Sequence, residues 1–394
     1  MRYAPITDRL ARMGGAKWAV HHRARLMQAE GTAVIELTIG EPDVMTPSEM
    51  IEKAVDSMRS GRVGYSSGRG EPGLLAALAA RYTERRGRNF TVDNFICFPG
   101  TQTTLYALLN ALAGAGDEVL VGDPSYATYE GVILSSGAKP VPVVLRPEHG
   151  FRMQAADVEA AITPRTRVLF LNTPHNPTGA VLSRSDIEAL GALAVKHDLW
   201  IVSDEVYEDL VFPGATFVSP LDFPELAERV VACTSISKSH AAPGFRSGWC
   251  VGPKELCDRI QPFAETMLFG NPPFIADMTA EAISRPSPVA GGMAERFARR
   301  AALIRDRLHG QNGLGVHNPE AGMFTLIDVR ATGLSGEVFA NSLLDQERVA
   351  VMPGESFGPA LAGWLRVSLT QPDEMITQAC DRIARHAAQL MPAQ

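Results

Sequence analysis

Between residues 95 and 251, short apolar runs alternate with stretches of helical periodicity, and that alternation leaves few folds open. Phe95–Phe98, Glu118–Val121, Val168–Leu171, Trp200–Ser203, Val230–Thr234 and Gly248–Val251 read as strands, with helices such as Thr103–Ala113 and Arg184–His197 between them. Parallel neighbours in a sheet need a crossover, usually a helix, so the order strand–helix–strand predicts an α/β fold around a parallel sheet. Beyond Pro286 and Pro288, a helical stretch (Ala294–Leu308) leads to strands at Met323–Val329 and Leu365–Leu369 and a helix at Gly336–Gln346. A chain of 394 residues exceeds one ordinary core. We expect a large domain over residues 46–285 and a smaller one built from residues 1–45 and 286–394.

Ligands of open parallel sheets sit outside the carboxyl ends of the strands. The polar sequences of this chain fall at those ends. Asp123-Pro-Ser-Tyr126 follows one strand, Asn172-Thr-Pro-His-Asn176 the next, Asp204-Glu-Val-Tyr207 another, and Ser235-Ile-Ser-Lys238 a fourth. Independent strands thus deliver polar groups to one rim, as a binding site requires.

Each constellation has a chemical reading and a plainer one. Pro99-Gly100-Thr101-Gln102 joins a strand to a helix, where small residues let backbone N–H groups meet a phosphate; the same residues also make an ordinary cap. Lys238 could be a solvated surface charge. Beside Ser235, Ser237 and Arg246 it could instead be an amine that condenses with an aldehyde while those neighbours hold a phosphate. Asp204 ends a run that should be buried; it could pair with a lysine or arginine, or keep a heteroaromatic nitrogen protonated, with Tyr207 in reach of the same ring. Arg366, inside a strand, needs an anion: one of the chain's own 44 acids or a substrate carboxylate. Gly40-Glu-Pro-Asp43 by itself indicates a turn.

Composition narrows the classes. A net charge of −7 without a basic block speaks against nucleic acid or anionic membrane as partner. The five scattered cysteines form no CxxC pair, so neither disulfides nor zinc are expected, and no histidine spacing suits any other metal. The first residues lack a signal-peptide core, and no apolar run is long enough for a bilayer, so a soluble cytoplasmic protein is expected. Gly68-Arg-Gly70-Glu-Pro-Gly73 matches the GxGxxG dinucleotide fingerprint, but loop-like residues 60–67 precede it where a buried strand should stand, which tells against a nicotinamide cofactor.

Taken in order, Gly100-Thr-Gln, Asn176-Pro-Thr-Gly179, Ser203-Asp-Glu-Val-Tyr207, Ser235-Ile-Ser-Lys238 ending in Arg246, and Arg366-Val-Ser368 resemble the motif series of class I/II aminotransferases. Met1-Arg-Tyr, Pro174-His-Asn-Pro-Thr-Gly179, Ser237-Lys-Ser-His240 and Gly322-Met-Phe324 further resemble the arginine–pyruvate transaminase subgroup. The resemblance implies fold type I, with a mostly parallel seven-stranded sheet flanked by helices and a smaller α+β domain. It also implies pyridoxal 5′-phosphate (PLP) and a ping-pong exchange of an amino group between an L-amino acid and a 2-keto acid, arginine to pyruvate if the subgroup holds. Lys238 would link the cofactor covalently and then carry the proton at the substrate Cα. Asp204 would pair with the pyridine nitrogen, Asn176 and Tyr207 with the phenolic oxygen, and Tyr126 would stack on the ring. Gly100, Thr101, Gln102, Ser235, Ser237 and Arg246 would bind the phosphate. Arg366 would hold the α-carboxylate, assisted by Asn176 and the Gly40 backbone. Tyr65 would reach the phosphate of a neighbouring subunit, making a homodimer with shared sites. The alternatives are a β-eliminating C–S lyase on the same fold, a cofactor-bound regulatory protein, for which no DNA-binding segment is left over, and an NAD oxidoreductase. Substrate identity stays open: Glu41 and Asp43 could attract a guanidinium, but Val44 and Met45 follow, and Phe269–Phe274 carries no charge.

Overall fold

The computed structural model describes residues 1–11, 13 and 15–390. A seven-stranded sheet comprises β1 (Phe95–Phe98), β2 (Glu118–Asp123), β3 (Lys139–Val144), β4 (Thr166–Asn172), β5 (Trp200–Asp204), β6 (Val230–Ser235) and β7 (Gly248–Val251). Their order across the sheet is β1-β7-β6-β5-β4-β2-β3. All neighbours pair in parallel except around β7, which runs against both β1 and β6. The six strands expected from the sequence lie within two residues of those observed, and β3 and the direction of β7 are new.

Both differences have a physical cause. β3 reads Lys-Pro-Val-Pro-Val-Val, and prolines argue against a paired strand, but β3 lies at the sheet edge, where proline is tolerated. β6 and β7 are joined only by the four-residue helix Ile236–Ser239 and a single 3-10 turn. That link has no helix long enough to cross a sheet face, so the chain doubles back antiparallel.

Alternate residues along the strands face opposite sides. Ile96, Phe98, Val119, Val121, Val168, Phe170 and Val202 pack into one apolar core. Phe95, Cys97, Leu120, Leu169, Leu171, Ile201 and Ala232 pack into another. Both faces are buried, which is why the strands read as unbroken apolar runs.

A four-stranded antiparallel sheet follows in the chain: β8 (Gly315–Val316), β9 (Phe324–Asp328), β10 (Met352–Pro353) and β11 (Trp364–Ser368), ordered β10-β11-β9-β8. Its core includes Phe297 and Ile304 from helix Ala290–Leu308 and Phe339 from helix Gly336–Glu347. Residues near the N-terminus join this body: Ile35–Glu36 pairs in parallel with Val349–Ala350, and Ser368 N–H donates to the Leu37 carbonyl. That pairing delivers Thr38, Ile39 and Gly40 to the carboxyl end of the large sheet. Among the described residues, no helix is long and apolar enough to cross a membrane.

Candidate active site

The sheet register does the first part of the assembly. Asn172 and Asp204, the last residues of β4 and β5, are directly paired. Asn172 Nδ2 donates to the carbonyls of Asp204 (3.1 Å) and Pro174 (3.2 Å), and its Oδ1 accepts from Asn176 N–H at 2.9 Å. One amide therefore holds the Asn176 loop against the end of β5. Because the pleat alternates, Asp204 faces the cleft while Glu205 turns away to accept from Ser203 and Ser219.

β6 ends at Ser235, which caps the short helix carrying Ser237 and Lys238 by accepting from Ser237 N–H. On the far side of β7, β1 leads through Gly100 into helix Thr101–Leu112, two residues earlier than the sequence pattern indicated. Gly100 has φ +83°, and a Cβ there would come within 2.2 Å of Arg246 Nη2. Glycine is thus required both for the backbone conformation and for the approach of the guanidinium. Arg246 bonds the carbonyls of Pro243 (2.9 Å) and Pro99 (3.2 Å), poised at the helix N-terminus.

Arg366 enters from β11, only 2 % exposed. It bonds Asn176 Oδ1 (3.2 Å) and the Thr38 carbonyl (2.6 Å), and its carbon lies 3.9 Å and 4.3 Å from the ring centroids of Phe324 and Phe357. Gly40 makes this stacking feasible, since a Cβ there would meet Phe324 at 2.2 Å. The Gly40 carbonyl accepts from Lys238 Nζ at 2.6 Å.

The resulting cleft, about 340 Å³, is lined by Gly40, Thr101, Gln102, Tyr126, Asn176, Asp204, Tyr207, Ser235, Ser237, Lys238, Arg246 and Arg366. Gly100 borders it behind Arg246. Tyr65 does not line it: it is 93 % exposed, its ring 5.7 Å from that of Phe269. The cleft also has lining that sequence reasoning missed, including Trp18, Leu105 and Tyr129. Tyr129 follows Tyr126 by three residues at the start of helix Tyr129–Ser136, yet nothing in that spacing signals that its hydroxyl reaches β5.

Electrostatics set this cleft apart from ordinary core. Asp204 is 4 % exposed and makes no ion pair among the described residues; its carboxylate takes only the Tyr129 hydroxyl (2.7 Å) and the Val206 N–H (3.1 Å). Burial pushes its carboxyl up to about 6. Arg366 likewise has no carboxylate partner among the described residues, its Nε is unbonded, and burial brings it down to about 10. Isolated buried charges cost several kcal/mol each, so these two wait for an external cation and an external anion. Burial also lowers Lys238 to about 8, Arg366 and Arg246 adding to the effect and Glu41 opposing it. Among the described residues, the intramolecular ion pairs that a lone Asp204 or Arg366 could have made are not formed.

These observations test the fit of PLP. Thr101 Oγ1 is buried without a partner among the described residues at a helix N-terminus, beside Ser235, Ser237 and Arg246, a donor set suited to a phosphate. Asp204 lacks a cation that a protonated pyridine nitrogen would supply, and Lys238 offers an amine of lowered basicity. The residues fit the cofactor. The GxGxxG segment, by contrast, runs from a loop at Gly68–Glu71 into the start of helix Pro72–Arg86, and the element before that loop is helix Ser48–Arg59, not a strand.

Comparison with known proteins agrees with the geometry. Residues 32–383 match the family model described as aminotransferase class I and II. The arginine–pyruvate transaminase AruH of Pseudomonas aeruginosa is 43 % identical over 391 residues, covering 99 % of both chains. The aspartate/prephenate aminotransferase of Cereibacter sphaeroides is 34 % identical over 98 % of this chain and 99 % of its own. Among solved structures, a Thermus thermophilus aspartate aminotransferase double mutant superposes with a TM-score of 0.91 at 32 % identity, covering 98 % of this chain and 100 % of that one.

Proposed function

Since the chain belongs to the class I and II aminotransferase family, and is a PLP-dependent transaminase, we propose that the cleft around Lys238 is its active site and that the polar side chains there have definable tasks. The observation that carries this reading is the pair of buried, unpartnered charges, Asp204 and Arg366, in one cleft with a lysine of lowered basicity.

When bound, PLP supplies an aldehyde that condenses with amines and a protonated ring that draws electrons from the substrate Cα. Thr101, Gln102, Ser235, Ser237, Arg246 and the helix start at Gly100 hold its phosphate. Asp204 keeps the ring nitrogen protonated, Asn176 and Tyr207 bond the phenolic oxygen, and Tyr126 covers the ring. Burial raises the Tyr207 phenol, so it stays a neutral donor at physiological pH. Arg366 grips the substrate α-carboxylate in a fork, and Asn176, already on its Nη1, orients that fork. The Lys238 amine takes the proton from Cα and returns it elsewhere, a task suited to a group titrating near 8.

For the substrate side chain, the mouth of the cleft favours a cationic or uncharged group. Glu41 lines it, whereas Asp43 is taken up by Arg296 and Arg300. Apart from Lys238, Arg246 and Arg366, already assigned, no cation among the described residues lines the cleft to receive a second carboxylate. With the name of the Pseudomonas relative, this supports arginine as donor and pyruvate as acceptor. Tyr65 serves the phosphate of a second subunit: its exposed ring, with Val63 exposed two residues before it and Phe269 exposed against it in space, suits a face covered in a homodimer.

The test is a panel of twenty amino acids offered singly to the PLP-loaded protein, followed by a panel of keto acids. Arginine should bleach the visible band and pyruvate restore it, while aspartate and glutamate act poorly. A protein that binds PLP but responds best to dicarboxylates would overturn the substrate reading; one with no visible band would overturn the site.

A further inference from the structure

We propose that Tyr129 is a positioning residue that fixes the orientation and the charge of Asp204 through its hydroxyl, and thereby sets how strongly the protein prefers a cofactor with a ring nitrogen. The proposal rests on the active-site reading above and extends it to a residue with no other assigned task.

The carboxylate of Asp204 has two donors, one per oxygen: Val206 N–H on Oδ1 at 3.1 Å and Tyr129 Oη on Oδ2 at 2.7 Å. The first belongs to the backbone and comes with the strand end. The second is the only side-chain hydrogen bond that the carboxylate makes among the described residues. Tyr129 itself is 3 % exposed, its ring 4.5 Å from that of Phe170 and edge-on to Tyr126 at 5.5 Å. A side chain wedged on both sides cannot swing away, so its hydroxyl is held on Asp204 even before a ligand arrives.

A tyrosine in a core needs some acceptor, and a merely structural hydroxyl could have found a backbone carbonyl. This one is spent on a carboxylate that has no cation. Burial already drives Asp204 toward protonation, and the two hydrogen bonds oppose it. Without the hydroxyl, burial would push the group further toward its neutral form and weaken its attraction for a protonated ring nitrogen. The hydroxyl of Tyr129 is itself held protonated by burial and by the same carboxylate, so it acts as donor only.

The test measures binding to the full-length apoprotein, not turnover. Dissociation constants are determined for PLP and for its analogue with carbon in place of the ring nitrogen, in the wild type, Tyr129→Phe, Asp204→Asn and the double variant. Phenylalanine keeps the packing on Phe170 and removes only the hydroxyl. We expect Tyr129→Phe to weaken PLP roughly tenfold, as for loss of a hydrogen bond to a charged group, and to leave the carbon analogue within about twofold. In the Asp204→Asn background, Tyr129→Phe should change neither ligand. Equal weakening of both ligands, or an added loss in the double variant, would show that Tyr129 serves packing alone and would overturn the proposal, as would no change with PLP. If the single variant fails to fold, the comparison of Asp204→Asn with the double variant still decides the matter. A wild type that binds neither ligand would refute the active-site reading instead, so the two failures are distinct.

Discussion

Lys238 Nζ donates to the carbonyl oxygen of Gly40 at 2.6 Å, bridging two residues 198 positions apart. The contact joins the end of the large sheet to the segment that also packs on Arg366. It leaves the amine buried among like charges, so its basicity falls from the ordinary 10.5 to about 8.

The first prediction follows from that value. Only the neutral amine attacks an aldehyde, and the neutral fraction rises with pH through the amine's own midpoint. Covalent uptake of PLP by the apoprotein, followed by stopped-flow absorbance, should accelerate with a midpoint near 8. The negative charge of Glu41 stabilises the ammonium, so Glu41→Gln should move the midpoint lower. A midpoint near 10.5, or one unmoved by Glu41→Gln, would contradict the structure. Lys238→Ala should abolish borohydride-trapped cofactor altogether, and trapping on Lys196 or Lys254 would place the linkage elsewhere.

Asp204→Asn should separate stability from activity. The folded carboxyl is raised to about 6, against 3.8 for a free one. The folded apoprotein therefore binds the proton more tightly than the unfolded chain, and wild-type stability falls as pH rises from about 4 to about 6, then levels off. Asparagine removes that penalty. Its apoprotein should melt higher than wild type at pH 8, by the equivalent of up to about 3 kcal/mol, with the gap closing toward pH 4. Transamination should nonetheless be slowed severely, because the ring loses the charge that keeps it protonated. Near-normal turnover would leave Asp204 a structural residue.

Arg366→Lys tests the fork. Lysine offers a point charge in place of two parallel donors, and loss of the guanidinium from a buried carboxylate contact costs about 2–5 kcal/mol. KM should rise sharply for amino acids and keto acids alike, with the cofactor spectrum unchanged. A rise for only one substrate class would mean that Arg366 does not hold the shared α-carboxylate.

The shared-site proposal is tested by subunit mixing. Lys238→Ala and Tyr65→Ala homodimers should each be impaired. Their mixture should regain activity, since some sites then combine a native lysine with a native tyrosine. Mixed dimers that form without regained activity would confine Tyr65 to packing against Phe269 of its own chain.

Most of the frame was legible because it depends on local pattern. The apolar runs of β1, β2 and β4 to β7 are buried on both faces, so they announce themselves without any knowledge of neighbours. The polar residues at their ends could be read as one rim because parallel strands necessarily finish on the same side. The edge strand Lys139–Val144 escaped, since its prolines break the local signature and only its place at the margin makes them tolerable. The reversal of β7 escaped for a similar reason: strand direction is set by whether the link can carry a crossover.

What the sequence by itself determined, then, is the order of elements and the chemical types at their ends. Tertiary structure decided which of those groups are left unsatisfied. Asp204 and Glu205 are adjacent acids of the same chemistry, and only the pleat sends one into the cleft and the other toward Ser203 and Ser219. Asp43 and Glu41 differ likewise, one consumed by Arg296 and Arg300, the other left at the mouth. Tyr129 lies 75 positions from the carboxylate it holds. Charge compensation is a matter of distances of a few ångströms across the fold, and sequence spacing carries no information about such distances until the chain has packed.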